Sequence, residues 1–175
     1  VLQSSTGQTL FRMDGLDSLT TLDGLILTGS TQSAVVVTGG TPRFFNCEFE
    51  GNSGQRGGAV VATDVVRIRI EYCVFRNNTA EENGGAVHIT GMDTDAFDWG
   101  PFIGQSLFHN NSAQYGGALV IMGSAPTPQV VSSVFAENTA SISGGAVLSQ
   151  ATDLYLNNCT FLRNTAETED GFSAA

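Results

Sequence analysis

Apolar residues in this chain fall in short alternating runs, each broken by Gly, Asn or a Thr-Asp pair. The clearest are AVVAT (Ala59 to Thr63), VVRIRI (Val65 to Ile70) and YCVF (Tyr72 to Phe75). Runs of this length, rich in Val, Ile and Phe and bounded by turn formers, predict β-strands with one face buried. A 3.6-residue period is absent, and Gly or Pro interrupts every stretch long enough for a helix.

The runs recur. FEGNSGQRGGAV starts at Phe49, FRNNTAEENGGAV at Phe75, FHNNSAQYGGAL at Phe108 and FAENTASISGGAV at Phe135. A shortened copy, FLRNTAETEDGF, starts at Phe161, and the steps between copies are 26, 33, 27 and 26 residues. A fixed period in the twenties marks a solenoid. With three short strands per turn of about 26 residues, the pattern predicts an all-β fold, a right-handed parallel β-helix of six to seven turns. Residues 1–175 read as one β-helix domain, a segment of a longer chain, with degenerate turns over 1–44 and regular repeats over 45–171. In the degenerate part, aligning Asp23-Gly24-Leu25-Ile26 with Asn46-Cys47-Glu48-Phe49 places Ile26 at the Phe phase and makes SAVVVTGG (Ser33 to Gly40) the counterpart of the G-G-A-V strand.

Parallel stacking puts equivalent residues of successive turns about 4.8 Å apart, so identical side chains stack on themselves. Phe49, Phe75, Phe108, Phe135 and Phe161 are expected to form an interior aromatic column, and Asn52, Asn78, Asn111, Asn138 and Asn164 an amide ladder at a turn with left-handed backbone. The double glycines provide positive φ or close approach at a second corner, where Ala59, Ala86, Ala118 and Ala146 fit a tight inner bend. By the period of two, Val61, His88, Val120 and Leu148 point outward, an apolar stripe that would serve as a contact surface or be covered by another segment.

Composition narrows the function. Seventeen acids face seven basic residues, all Arg, for a net charge of −10, which excludes nucleic acid and anionic membranes as ordinary partners. No apolar run approaches the length of a membrane span. Cys47, Cys73 and Cys159 each precede a repeat Phe by two residues, and Ser106 and Ser133 hold that phase in the other copies, so the position reads as a stacked interior one. A Cys47–Cys73 bridge between neighbouring turns is sterically allowed.

The paired phrases FEGN/GGAV, FRNN/GGAV, FHNN/GGAL and FAEN/GGAV, with FLRN lacking its G-G-A, resemble the repeats of the chlamydial polymorphic membrane proteins and related surface β-helix proteins of the pectin-lyase-like superfamily. The resemblance implies a secreted or cell-surface adhesin-like rod that presents loops. The superfamily also contains lyases and epimerases, which gather carboxylates on one sheet with a basic residue. Here Asp64 and Asp153 share a phase but lie turns apart, and Arg67 and Arg69 sit with Glu71 as a salt-bridged face.

The step of 33 inserts GMDTDAFDWGPF, where Asp93, Asp95 and Asp98 offer oxygen ligands that would suit Ca²⁺, the one cofactor the sequence admits, though the full twelve-residue calcium loop is missing. Phe97 and Trp99 make the same loop a candidate recognition element, since binding concentrates on insertions in rigid scaffolds. The expected function is structural and adhesive, outside the cell, with a protein, a glycan or a second copy as partner; a carbohydrate-active enzyme is the alternative.

Overall fold

The computed structural model describes residues 1–15, 20–65, 67–91, 100–123, 127–151 and 153–167, and these form a parallel β-solenoid. Every strand pair is parallel, and the strands stack into four sheets with seven, six, five and six members. Along the chain, a coil passes from a first sheet (Val60–Thr63) to a second (Arg69–Glu71), a third (Val74–Arg76) and a fourth (Thr79–Asn83), then returns to the first (Val87–Thr90). About six coils of about 26 residues result, as the period predicts.

The expected three strands per turn are four. The unrecognised strand follows each ladder Asn: Ser53–Arg56, Thr79–Asn83, Ser112–Tyr115, Thr139–Ser143 and Thr165–Ala166. It turns a small residue inward, Gly54, Ala80, Ala113, Ala140 and Ala166 in successive coils, and apart from Tyr115 and Ile142 the rest is polar. With so little apolar contrast, alternation carries no signal there. Its register also shifts between coils, at a bulge before the double glycine.

The two ladders form as the period requires. Phe49, Phe75, Phe108, Phe135 and Phe161 stack with centroids 4.7, 4.7, 4.7 and 5.1 Å apart and rings within 6° of parallel. The first four are fully buried, and each contributes about 1.5–3 kcal/mol by leaving water. Below them, Leu27 rather than Ile26 continues the column, because Leu27 pairs with Phe49 while Ile26 pairs with Glu48. The degenerate turn is thus one residue shorter to the Phe phase than the alignment assumes, with Gly24 taking the corner position of Asn46. The strand Val35–Thr38 does occupy the G-G-A-V place, paired with Val60–Thr63.

Each ladder Asn is bonded above and below. The Nδ2 of Asn78 donates to the Phe49 carbonyl of the preceding coil (2.9 Å) and to the Asn111 Oδ1 of the next (3.0 Å), and the Asn78 backbone N–H also donates to that Oδ1 (3.0 Å). The same pattern links Asn111 to Asn138 and Asn138 to Asn164. The left-handed residue is the one before the ladder, not the ladder Asn itself: Gly51, Asn77, Asn110, Glu137 and Arg163 have φ of 61°, 56°, 52°, 56° and 51°. An amide buried in the ladder is spent on neighbouring coils, so the exposed residue before it takes the strained corner.

The Cys and Ser phase has a matching purpose. Cys47, Cys73, Ser106, Ser133 and Cys159 each donate from the side chain to the carbonyl two residues back, across a corner residue with positive φ. Thiol and hydroxyl are interchangeable for capping that carbonyl. The bridge allowed by spacing is not formed: Cys47, Cys73 and Cys159 are free thiols. The Cys73 thiol is pushed up by the hydrogen bond it shares with Cys47 and by burial.

Candidate functional site

The insertion loop lies outside the described residues, and with it Asp93, Asp95, Asp98, Phe97 and Trp99. Among the described residues no three His, Cys, Asp or Glu side chains gather as metal ligands. No helix there is long and apolar enough to cross a membrane. Asp64 and Asp153 follow strands of the first sheet in separate coils, several turns apart.

The outward column on the first sheet is in register as phased: Val61, His88, Val120 and Leu148 face one another on successive strands. It is not an open apolar stripe, because His88 and Val120 are 2% and 0% exposed. The corner glycines lie over it. A Cβ at Gly116 would stand 2.5 Å from Val120 Cγ2, and one at Gly144 would stand 3.0 Å from Leu148 Cβ. Bulged ends of the fourth sheet therefore fold back against this column and roof its middle.

Where that roof opens, a polar cleft of about 570 Å³ forms, lined by Thr31, Ser33, Gln55, Arg56, Val61 and Glu81. Arg56 Nε donates to Glu82 Oε2 at 2.9 Å and Gln55 Nε2 to Glu82 Oε1 at 2.9 Å, which fixes all three groups across adjacent coils. The Arg56 bond, then the Gln55 bond, holds the Glu82 carboxyl below its usual range. Beside this pair His88 is buried with Nδ1 lacking a partner, and burial lowers its pKa to about 4, so it is neutral at neutral pH. The cleft thus offers the guanidinium of Arg56 and amide of Gln55, both held by Glu82 behind them, with the Glu81 carboxylate and the Thr31 and Ser33 hydroxyls beside Val61, a surface for hydrogen-bonding a polar ligand. Sequence reading missed Gln55, Arg56 and Glu82 because the strands carrying them went unrecognised. Their shared place just before the double glycine was the available signal.

His88 sets a pH dependence. Its folded pKa lies below the unfolded value, so the unfolded chain binds the extra proton, and stability is full above about pH 6.5 and falls as pH drops toward 4. A depression of this size is worth about 3 kcal/mol across that window. Arg56 opposes protonation and Glu82 favours it. His88→Val, matching Val61 and Val120 on either side, is expected to flatten the acid limb of the urea midpoint between pH 7 and 4. An unchanged limb would show that His88 is hydrated in the folded state.

The fold and its ladders define a parallel β-solenoid built from one recurring repeat. Residues 72–90, one complete copy, match the Chlamydia polymorphic membrane protein repeat. Over 122 residues the chain is 32% identical to Metabotropic glutamate receptor-like protein R of Dictyostelium discoideum, a match that takes in 69% of this chain and 7% of that relative. The chain therefore spans a small part of the relative's length. No solved structure matches it significantly. One likeness is to a membrane-protein repeat and the other to a receptor-like protein.

Proposed function

We propose that this chain is a non-catalytic extracellular rod that holds a lateral face toward a protein or glycan partner. The observation that carries this reading is the continuity of the ladders. Stacked Phe rings and Asn amides fix successive coils at one spacing, while outward residues change from coil to coil. The interior is committed to rigidity and the exterior is free to vary, which is the arrangement of a presenting scaffold. The match to a polymorphic membrane protein repeat and the receptor-like relative support a place at a cell surface.

The purified chain is to be incubated with a panel of polysaccharides and cell-surface proteins, with and without Ca²⁺, following bound partner, new reducing ends and unsaturated product. Binding without turnover is expected. Reducing ends or unsaturation would replace this reading with a lyase or hydrolase. Loss of binding in Trp99→Ala would assign recognition to the insertion loop, and loss in Arg56→Ala would assign it to the lateral cleft.

A further inference from the structure

The second sheet carries an outward column that no ladder explains. Thr21, Arg43, Arg69, Phe102, Gln129 and Tyr155 face one another on successive strands, and none is acidic. Arg67, two residues before Arg69, lines one cleft with Arg43 and Arg69. Three of the chain's seven Arg residues therefore converge on one face of a molecule with a net charge of −10.

They outnumber their carboxylates. Arg69 takes Glu71 in a two-pronged pair, Nε to Oε2 and Nη2 to Oε1, both at 3.1 Å. Arg43 reaches the same Glu71 only at 3.6 Å, and its Nε is shut off from solvent without an acceptor. Arg67 has no side-chain partner among the described residues. By contrast, Arg56, Arg76 and Arg163 each pair with a glutamate on a neighbouring coil. Arg43, Arg67 and Arg69 line two adjoining clefts of about 240 and 230 Å³, the first bordered by all three and the second by Arg67 and Arg69. Aromatic rings flank them: Phe102 lies under the Arg69 guanidinium at 4.8 Å, and Tyr72, half exposed, packs edge-on against Phe45 at 5.2 Å.

We propose that this face binds an acidic polysaccharide, with Arg43 and Arg67 taking its sulfate or carboxylate groups and the flanking rings supporting its sugar faces. Arginine's fork suits planar and tetrahedral oxyanions. Arg43 and Arg69 stand about 4.8 Å apart on neighbouring strands and Arg67 precedes Arg69 in the chain, so three separate side chains offer donors to an extended ligand, not one focused ion site. The strands Arg43–Phe45, Arg69–Glu71 and Phe102–Gly104 are interior to their sheet, with both edges paired. An acidic peptide could not add as a strand there, which favours a glycan held by side chains alone. Glu71, paired to Arg69 within the face, opposes an anionic ligand, but it sets one carboxylate against the three guanidiniums.

The proposal rests on the presenting role and is tested apart from it. A heparin oligosaccharide and an oligogalacturonate are titrated against the chain, beside dextran and poly-glutamate, at low and physiological salt. One or both acidic glycans are expected to bind, and the preferred one identifies sulfate or carboxylate as the ligand group. Arg67→Gln is expected to weaken that binding about tenfold, the loss of one charge-assisted contact. Arg43→Gln with Arg67→Gln should abolish it, and Arg163→Gln should leave it unchanged. Circular dichroism of each variant must match the parent. Poly-glutamate binding as tight as the glycans, or no acidic glycan binding, would overturn the proposal. In the second case, retained binding to other surface partners would leave the presenting role standing.

Discussion

Asn111→Ala is expected to lower the stability of the solenoid by about 4 kcal/mol, read as a fall in the urea midpoint. Asn111 Oδ1 accepts from the backbone N–H and the Nδ2 of Asn78, both at 3.0 Å, and its own Nδ2 donates to Phe75 O at 3.0 Å and to Asn138 Oδ1 at 2.9 Å. Asn111 and both ladder neighbours are buried, so water cannot replace what alanine removes. Each orphaned buried group costs about 1–3 kcal/mol, and two of the partners keep a second bond, which sets the sum nearer the middle of the range. Asn164→Ala in the last described coil is the internal comparison. It loses three such bonds where Asn111 loses four, and the site is partly exposed so that water substitutes, so about 1 kcal/mol is expected. Equal costs at the two positions would show that the ladder is a repeat signature without cooperative weight. Asn111→Asp serves as a second check: it keeps the acceptor, loses both donors and buries a charge, and should be no milder than alanine.

How much of this could be read beforehand depends on whether a feature repeats and whether it is apolar. The Phe column, the Asn ladder and the Val35–Thr38 strand were legible because a coil stacked on its copy turns sequence period into contact. The fourth sheet was not, since its single inward residue is Gly or Ala and its outward ones are mostly polar. A slip of one residue at Leu27 escaped for a related reason. In LIL every position is apolar, so hydrophobicity cannot choose the phase, and only pairing with Phe49 does. At the surface, the salt bridge between Arg69 and Glu71 was readable at spacing two, whereas the convergence of Arg43 with Arg67 needed the coil register. The lateral cleft needed the fourth sheet before Arg56 and Glu82 could be placed together. Interior chemistry repeats and announces itself; surface chemistry differs in each coil and appears only once the register is fixed.

Neither member of the double glycine has room for a Cβ, and at the second, whose backbone angle is ordinary, a small substitution is expected to be damaging through space alone. Gly57, Gly84, Gly116 and Gly144, the first of each pair, have φ of 49°, 63°, 59° and 71°. The second of each pair is needed for space. A Cβ on Gly85 would press into the Gly117 carbonyl oxygen of the next coil and stand 2.6 Å from Ser112 N and O. All are backbone atoms, which cannot rotate aside as a side chain would. Gly85→Ala must therefore push two coils apart, breaking the bond from Gly85 N to Gly116 O (3.2 Å) and disturbing the Asn ladder one corner away. A loss of about 3 kcal/mol or more is expected, with reduced soluble yield. Gly51→Ala gives the contrast, since Gly51 has φ of 61° but nothing within 4 Å of a new Cβ. Only the left-handed backbone is taxed there, about 1 kcal/mol. Gly51→Asn should cost less still, because Asn77 and Asn110 hold the same corner at 56° and 52°. If Gly85→Ala proved as mild as Gly51→Ala, coil spacing would be adjustable, and the rigidity on which the presenting role depends would fall with it.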